Sequence, residues 1–304
     1  MANIEFTDQS SKHEKRIARL ALHKRRTLRM LRYFDSVKHR LSARQLRRYR
    51  WCHNYLLFHH VPDLEQTTLH EARHCDIHLL CPLCAIRRAA RAVMKYEEKT
   101  LELLRRNPRL RLYYVVLTVK NGKRLSTCFD HLERSMRLLV ARRRAAQSFL
   151  RGKKQFAYAA NSVFAGVSAG AYSFEVKRGS NSGLWHPHVN LLLLTDKPIS
   201  QSAISEEWRG ITKDSYVVHC EHKTDTRKAF VEIFKYALKF SDMEFADTYE
   251  AWEILQKRRL TGSFGDFRGL EITQNDDEDV PLAFEELFYR FDGYEYALSK
   301  KNRL

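Results

Sequence analysis

The sequence lacks any long apolar run. No stretch of its 304 residues reaches the length of about 18 consecutive apolar residues that crosses a bilayer. The N-terminal stretch MANIEFTDQSSKHEKR also lacks the apolar region of a secretory signal. We therefore expect a soluble, cytoplasmic protein with no membrane partner.

Acidic residues are scarce relative to basic ones. The chain has 36 Asp and Glu against 54 Lys and Arg, a net charge of +18. This excess favours a polyanionic partner, with nucleic acid first and an anionic membrane surface second. Residues 12–50 are rich in arginine, contain no Pro or Gly, and predict a basic helical arm that contacts phosphates. Its apolar side chains follow helical spacing: Ile17, Leu20, Leu28, Leu31 and Leu41.

Cysteines are few, six in all, and four of them lie in one segment. Without an export signal we expect thiols or metal ligands, because a reducing cytosol does not preserve disulfides. The spacing Cys-x22-Cys-x5-Cys-x2-Cys suits a closed tetrahedral zinc site. The candidate ligands are Cys52, Cys75, Cys81 and Cys84. His70, His74 or His78 could replace Cys52, and four buried reduced cysteines are the alternative without a metal.

The stretch GLWHPHVNLLLL, residues 183–194, carries two histidines one residue apart. Side chains two apart on a strand share a face, so His186, His188 and Asn190 project together. A Gly/Ser/Asn loop joins this strand to GAYSFEVKR, which predicts an antiparallel hairpin with Glu175 beside the histidines. Two His and one carboxylate leave positions open on a Mn²⁺ or Mg²⁺ ion for substrate oxygens. Structural histidines on a half-buried strand are the alternative.

A later amphipathic stretch, TRKAFVEIFKYALKFS at residues 226–241, predicts a helix. Glu232, Tyr236 and Lys239 fall at i, i+4 and i+7 on one side of it. A phenol with a pKa of about 10 is a weak nucleophile at neutral pH, and a metal ion and Lys239 would supply the positive charge it needs. Glu232 could accept a proton from a water or hydroxyl that attacks the same phosphorus. Taken alone, such a helix is more often structural.

Together these motifs resemble those of the HUH endonucleases, specifically the plasmid-type rolling-circle replication initiators (Rep proteins). VVLTVKN is similar to the family's first motif, EVKRGSNSGLWHPHVNLLL to its carboxylate and HUH strands, and EIFKYALKFSD to its tyrosine motif, in the family's order. CDIHLLCPLCAIRRAARA resembles the Cys-rich segment upstream of the nuclease, and KRRLTGSFGDFRGL the segment after the tyrosine. Asn190 departs from the family, because close relatives often have a third histidine there. Phe240 stands one turn after Tyr236, so the similarity is to single-tyrosine members.

The resemblance implies an α+β fold in which helices flank a central antiparallel sheet of the HUH nuclease type, with N-terminal basic helices and a small zinc-binding segment. It divides the chain into four parts. These are a basic helical arm (1–50), a Cys-rich zinc-binding segment with a helix (51–106), an HUH endonuclease domain (107–270) and an acidic and aromatic C-terminal tail (271–304).

The resemblance also implies a mechanism. An ion held by His186, His188 and Glu175 polarises the scissile phosphate of single-stranded origin DNA. Tyr236 attacks, forming a 5′-phosphotyrosine and a 3′-OH that primes rolling-circle replication, and Glu232 supports a second cleavage. The implied partners are the origin DNA and the host's replication helicase and polymerase. A related HUH transposase or relaxase, or a non-catalytic zinc-containing DNA-binding regulator, are the alternative functions.

Overall fold

The computed structural model describes residues 3–153, 162–235, 243–271 and 283–299, with side chains from Lys12 onward. The described residues form two compact units. The first takes Met1–Arg87 and Gln274–Leu304, and the second takes Arg88–Thr273. Each unit is built on an antiparallel sheet of its own, which confirms the predicted α+β class with helices flanking antiparallel strands.

The second unit contains a five-stranded sheet in the order β6-β3-β5-β4-β7. Its strands are β3 (Arg111–Thr118), β4 (Val167–Arg178), β5 (Trp185–Thr195), β6 (Val218–Lys223) and β7 (Thr261–Gly265). Its helices are the larger part of α3 (Pro82–Arg106), then α4 (Leu125–Leu150), α5 (Gln201–Thr212), α6 (Thr226–Phe234), α7 (Phe245–Leu255) and α8 (Asp266–Gly269).

Strand β5 is the centre of this sheet because its side chains are apolar on both faces. The four leucines at 191–194 have no solvent exposure. Leu192 and Leu194 pack with Phe230 of α6 and with α3 on one face. On the other face Phe129 of α4 meets Phe174 of β4 edge to face, with ring centroids 5.3 Å apart. Burial on both faces fixes the register of this strand, since a slip of one residue would exchange its two faces.

The first unit contains a four-stranded sheet in the order β2-β1-β8-β9. Its elements are α1 (Asn3–Ser36), α2 (Ala43–Arg50), β1 (Tyr55–Val61), a 3-10 turn (Pro62–Leu64), β2 (Gln66–Ala72), β8 (Glu285–Phe291) and β9 (Tyr296–Leu298). Ala21 of α1 packs with Leu56 and Phe58 of β1 and with Phe291 of β8. The basic helix therefore has a buried face, and residues from both ends of the sequence share one core.

The local predictions are largely confirmed, with two corrections. The predicted basic helix at 12–50 is interrupted between α1 and α2, where Ser42 caps α2 by accepting a hydrogen bond from the Gln45 backbone. The predicted helix at 226–241 leaves helical geometry at Lys235, where ψ is −125°, and residues 236–242 lie outside the described part. No helix in the described part of the chain is long and apolar enough to cross a membrane. The division into four segments stays a prediction.

Candidate metal centre and histidine–carboxylate site

Four cysteines of the first unit converge in its interior. Cys52, Cys75, Cys81 and Cys84 are each at most 4% exposed, and their sulfurs lie within 4.8 Å of one another. The Sγ atoms of Cys52 and Cys81 are 3.6 Å apart, as are those of Cys52 and Cys84, and those of Cys75 and Cys84 are 3.5 Å apart. All four are free thiols, so the cluster is not a pair of disulfides.

These separations fit a tetrahedral zinc ion. Zn–S bonds of about 2.3 Å in a tetrahedron place neighbouring sulfurs about 3.8 Å apart, close to the separations in the cluster. Among the described residues this is the one group of three or more ligand side chains that is already closed. The arrangement can hold a metal ion through Cys52, Cys75, Cys81 and Cys84.

The protonation of the thiols gives a second reason for a cation. Hydrogen bonds from Cys75 and Cys81 hold the pKa of Cys52 below its usual range, and those from Cys52 and Cys75 do the same for Cys84. The hydrogen bond to Cys52 raises the pKa of Cys75, and burial raises that of Cys81. A dication would stabilise all four thiolates together.

Lys24 of α1 lies beside this cluster with no solvent exposure. Its Nζ donates to the carbonyls of Cys52 at 2.7 Å and Arg50 at 2.9 Å. Burial lowers the pKa of Lys24, while the thiolates of Cys52, Cys81 and Cys75 oppose that shift. A zinc ion with four thiolate ligands has a net charge of −2, and an adjacent ammonium offsets part of it. Lys24 thus connects α1 to the cysteine segment through its hydrogen bonds to the carbonyls of Arg50 and Cys52.

Two of the three histidines considered as replacement ligands have contacts of their own. The His70 ring stacks on the His59 ring at a centroid distance of 3.8 Å. His74 hydrogen-bonds to Cys84, which contributes to the lowered pKa of that thiol. The four cysteines already complete a tetrahedral set, so the arrangement requires no histidine from His70, His74 or His78.

The second site lies on the central hairpin of the second unit. Strands β4 and β5 pair antiparallel, and Glu175 stands directly opposite His188, as the sequence predicts. Glu175 Oε2 lies 3.1 Å from His188 Nε2. Two ligands at a right angle on an octahedral ion with bonds of about 2.1 Å are about 3 Å apart, so this pair matches two neighbouring positions of such a site.

His186 shares the strand face but is turned toward a different partner. Its Nδ1 lies 2.6 Å from Asn121 Oδ1, and its ring centroid is 5.4 Å from that of His188. His186, His188 and Glu175 do not yet form a closed set of ligands in the described structure. Asn121 can only accept through this oxygen, so Nδ1 carries the proton and Nε2, across the ring, has the lone pair. Metal-binding histidines are commonly oriented by such a hydrogen bond.

Asn190 joins the histidine–carboxylate pair to a buried tyrosine. Its Nδ2 donates to Glu175 Oε2 at 3.1 Å, and its Oδ1 accepts from the Tyr114 hydroxyl at 2.9 Å. The chain of contacts runs from Tyr114 through Asn190 and Glu175 to His188. Where the resemblance leads one to expect a third histidine, this sequence has an amide that orients the carboxylate.

The same tyrosine connects this site to Glu232 of α6. Lys223 Nζ lies 3.2 Å from Glu232 Oε2 and 5.3 Å from the centroid of the Tyr114 ring. Burial raises the pKa of Tyr114, and the nearby carboxylates of Glu232 and Glu175 raise it further. The charges of both carboxylates therefore act on the Tyr114 phenol. Glu232, on the helix packed over this face, belongs to the same neighbourhood as the His188–Glu175 pair.

Two predicted residues cannot be placed. Tyr236 and Lys239 lie outside the described residues, so their roles stay predictions. Conversely, the sequence did not single out Tyr114, Asn121, Lys223 or Lys24. Their roles depend on strand register and helix packing. For example, Thr118 of β3 lies opposite His188 of β5, and Tyr114 lies four residues before Thr118 on the same strand. Asn121, which ends the VVLTVKN motif, was the one member with a signal in the sequence.

Comparison with known proteins finds two distant relatives that share one name. The chain is 22% identical over 333 aligned residues to "Protein rep" of Bacillus amyloliquefaciens, covering 91% of this chain and 92% of that protein. It is 25% identical over 195 residues to "Protein rep" of Streptococcus pneumoniae serotype 2, covering 56% of this chain and 53% of that one. No protein-family model matches the chain, and no solved structure matches it significantly.

Proposed function

We propose that this chain is a Rep-type replication initiator, an HUH endonuclease that nicks and rejoins single-stranded origin DNA for rolling-circle replication. The observation that carries the proposal is the opposition of Glu175 and His188 on the central hairpin, with 3.1 Å between their ligand atoms. The similarity to two Rep-named proteins, one across nearly the whole of both chains, supports the same reading. The net charge of +18 suits a DNA partner.

His186, His188 and Glu175 would hold the catalytic divalent ion. Bound there, Mn²⁺ or Mg²⁺ would supply Lewis-acid polarisation of the scissile phosphate. Asn121 would orient the first imidazole, and Asn190 would hold the carboxylate toward His188. Closing the set requires a movement of the His186 ring, and the partial exposure of this residue leaves room for one.

Tyr236 would be the nucleophile. Its Oη attacks phosphorus, the P–O3′ bond breaks, and the products are a 5′-phosphotyrosine and a 3′-hydroxyl that primes synthesis. The phenolic proton leaves to solvent as the 3′ oxygen takes one up. Lys239, three residues later in the sequence, would favour the phenolate.

Glu232 would act in the second cleavage. It would take a proton from an attacking water or hydroxyl, so that one tyrosine suffices for a round that needs two cuts. Its carboxylate lies 3.2 Å from Lys223 Nζ. The structural zinc at the cysteine cluster would stabilise the first unit, whose arginine-rich helices offer phosphate contacts. In the cytoplasm, the host's polymerase would then extend the 3′ end while its replication helicase unwinds the duplex.

The proposal can be tested by cleavage of a single-stranded oligonucleotide that carries the candidate origin, in the presence of Mn²⁺. His188→Ala and Glu175→Gln should abolish cleavage and retain DNA binding. His222→Ala, which removes an exposed histidine of the same unit, should cleave like the wild type. Wild-type protein that binds this DNA without cutting it would favour the non-catalytic DNA-binding regulator. A transposase or relaxase of the same chemistry would instead cut transposon ends or a transfer origin.

A further inference from the structure

A cavity of about 540 Å³ in the second unit has five arginines among its thirteen lining residues. Arg137, Arg143 and Arg144 come from α4, and Arg259 and Arg268 come from the segment around β7. Glu133 is the one carboxylate among the described residues of the lining. It is already engaged by Arg137 at 3.0 Å and by Arg258 at 2.9 Å. The cavity therefore has a strong excess of positive charge.

The floor of the cavity is buried and closely packed. Arg143 is 4% exposed, and its guanidinium donates to the carbonyls of Val167 and Ser168 while lying 5.0 Å from the Phe264 ring centroid. Gly265 has φ +66°, and a Cβ on it would meet the Ser168 carbonyl oxygen at 1.9 Å. Such a conformation and such a close approach both require glycine. Asp266 offsets part of the Arg143 charge.

The remaining arginines are on the rim. Arg137, Arg144, Arg259 and Arg268 are exposed. Arg137 pairs with Glu133, while Arg259 and Arg268 each donate through Nε to a backbone carbonyl. Tyr172 of β4, which is half-buried, adds an aromatic ring to the lining. Guanidinium groups pair with phosphate oxygens in a bidentate manner, and aromatic rings accept stacked bases.

This cavity is distinct from the histidine–carboxylate site. Tyr172 and Phe174 line it, and their side chains alternate along β4 with that of Glu175. The cavity therefore lies on the opposite face of the sheet from the His188–Glu175 pair. It opens beside β7, an edge strand of the sheet.

We propose that this cavity binds the phosphodiester backbone of single-stranded DNA at a segment remote from the scissile phosphate. The proposal rests on the proposed function for the identity of the polyanion. Charge and packing favour it: four exposed arginines surround a closely packed floor, and a strand passing round the β7 edge would connect the two faces. Its volume lies within the range of about 300–1,000 Å³ typical of ligand pockets.

The test uses the full chain and a labelled oligothymidylate of about 20 nucleotides, whose binding is followed by fluorescence anisotropy. The pocket variant is Arg144→Gln/Arg259→Gln. The control is Arg91→Gln/Arg134→Gln, which removes the same charge from exposed positions of α3 and α4 outside the lining. Circular dichroism and thermal melting verify that both variants fold.

We expect the pocket variant to bind on the order of tenfold more weakly and to lower the slope of log K against log salt by about 1.4, or about 0.7 for each lost contact. The control should change affinity less than about threefold. Equal losses in the two variants would overturn the proposal, because they would show a general effect of net charge. So would full competition by free phosphate at millimolar concentration, which would identify a small-anion site. If the pocket variant lost more affinity for oligouridylate than for oligothymidylate, the cavity would be an RNA site instead.

The nicking proposal can fail separately. Tyr236→Phe should bind oligothymidylate like the wild type, whatever its effect on cleavage. If the wild type shows no cleavage and only the pocket variant loses affinity, the binding site stands without the nuclease. If the wild type cleaves and the pocket variant keeps full affinity, the nuclease stands without this binding site.

Discussion

Replacing Asn190 with leucine removes both hydrogen bonds that join Tyr114 to Glu175. The side chains are similar in volume, and Asn190 is 3% exposed, so solvent cannot replace the lost partners. The buried phenol loses the acceptor at 2.9 Å, at a cost of about 1–3 kcal/mol, and Glu175 loses a charge-assisted bond worth about 1.5–3 kcal/mol. The free energy of unfolding should fall by about 3–5 kcal/mol.

The assay is urea unfolding followed by tryptophan fluorescence, in a cycle with Tyr114→Phe. Removing the phenol alone should cost about 1–2 kcal/mol, because Asn190 Oδ1 then lacks its donor. The double variant no longer contains an unsatisfied phenol, so it should lose about 1–3 kcal/mol less than the sum of the two single changes. Strict additivity of the two losses would refute the proposed hydrogen-bond chain. A loss below about 1 kcal/mol for Asn190→Leu would refute its energetic importance.

Three further predictions concern the metal centre and the second carboxylate. Cys84→Ser should reduce bound zinc, measured by metal analysis, from about one equivalent to less than half. Cys128→Ser changes a buried cysteine outside the cluster and should keep the zinc. Equal zinc in the two variants would rule out the tetrathiolate site. Lys24→Met should speed zinc loss to a chelator by about 10–100-fold, because the ammonium no longer offsets the charge of the centre, and an unchanged rate would contradict that role. Glu232→Ala should leave the first cleavage intact and prevent the hydrolytic second one. The control Glu221→Ala removes the other carboxylate paired with Lys223 and should preserve both cuts. Equal loss of both cuts in Glu232→Ala would indicate a structural role.

The β4–β5 hairpin could be predicted from the sequence because the patterns that specify it are local. Alternation along β4 and β5, the Gly/Ser/Asn loop and the apolar block at 191–194 together fix the pairing. Once the strands pair antiparallel, Glu175 and His188 must come close. The cysteine cluster was accessible for a similar reason, since the spacing of four thiols already suggests a tetrahedral site.

The contacts between segments that are far apart in the chain could not be predicted from the sequence. The pairing of β8 with β1 unites residues more than 200 positions apart, and the sequence of this segment reads as an acidic and aromatic tail. Lys24 looked like one of many solvated cations, because helical periodicity alone does not show that α1 packs against the cysteine segment. Its burial depends on that packing. The arginine cavity likewise combines α4 with β7, whose separate sequences give no sign of a shared pocket.

The central claim is that Tyr236 forms a covalent bond with DNA while the His188–Glu175 pair serves a divalent ion. The most direct measurement incubates the protein with Mn²⁺ and a single-stranded oligonucleotide that carries the candidate origin, then locates the adduct by peptide mass spectrometry. We expect a 5′-phosphotyrosyl peptide that contains Tyr236 and is absent from Tyr236→Phe. An adduct of equal yield in Tyr236→Phe, or cleavage by the wild type without any covalent intermediate, would contradict it.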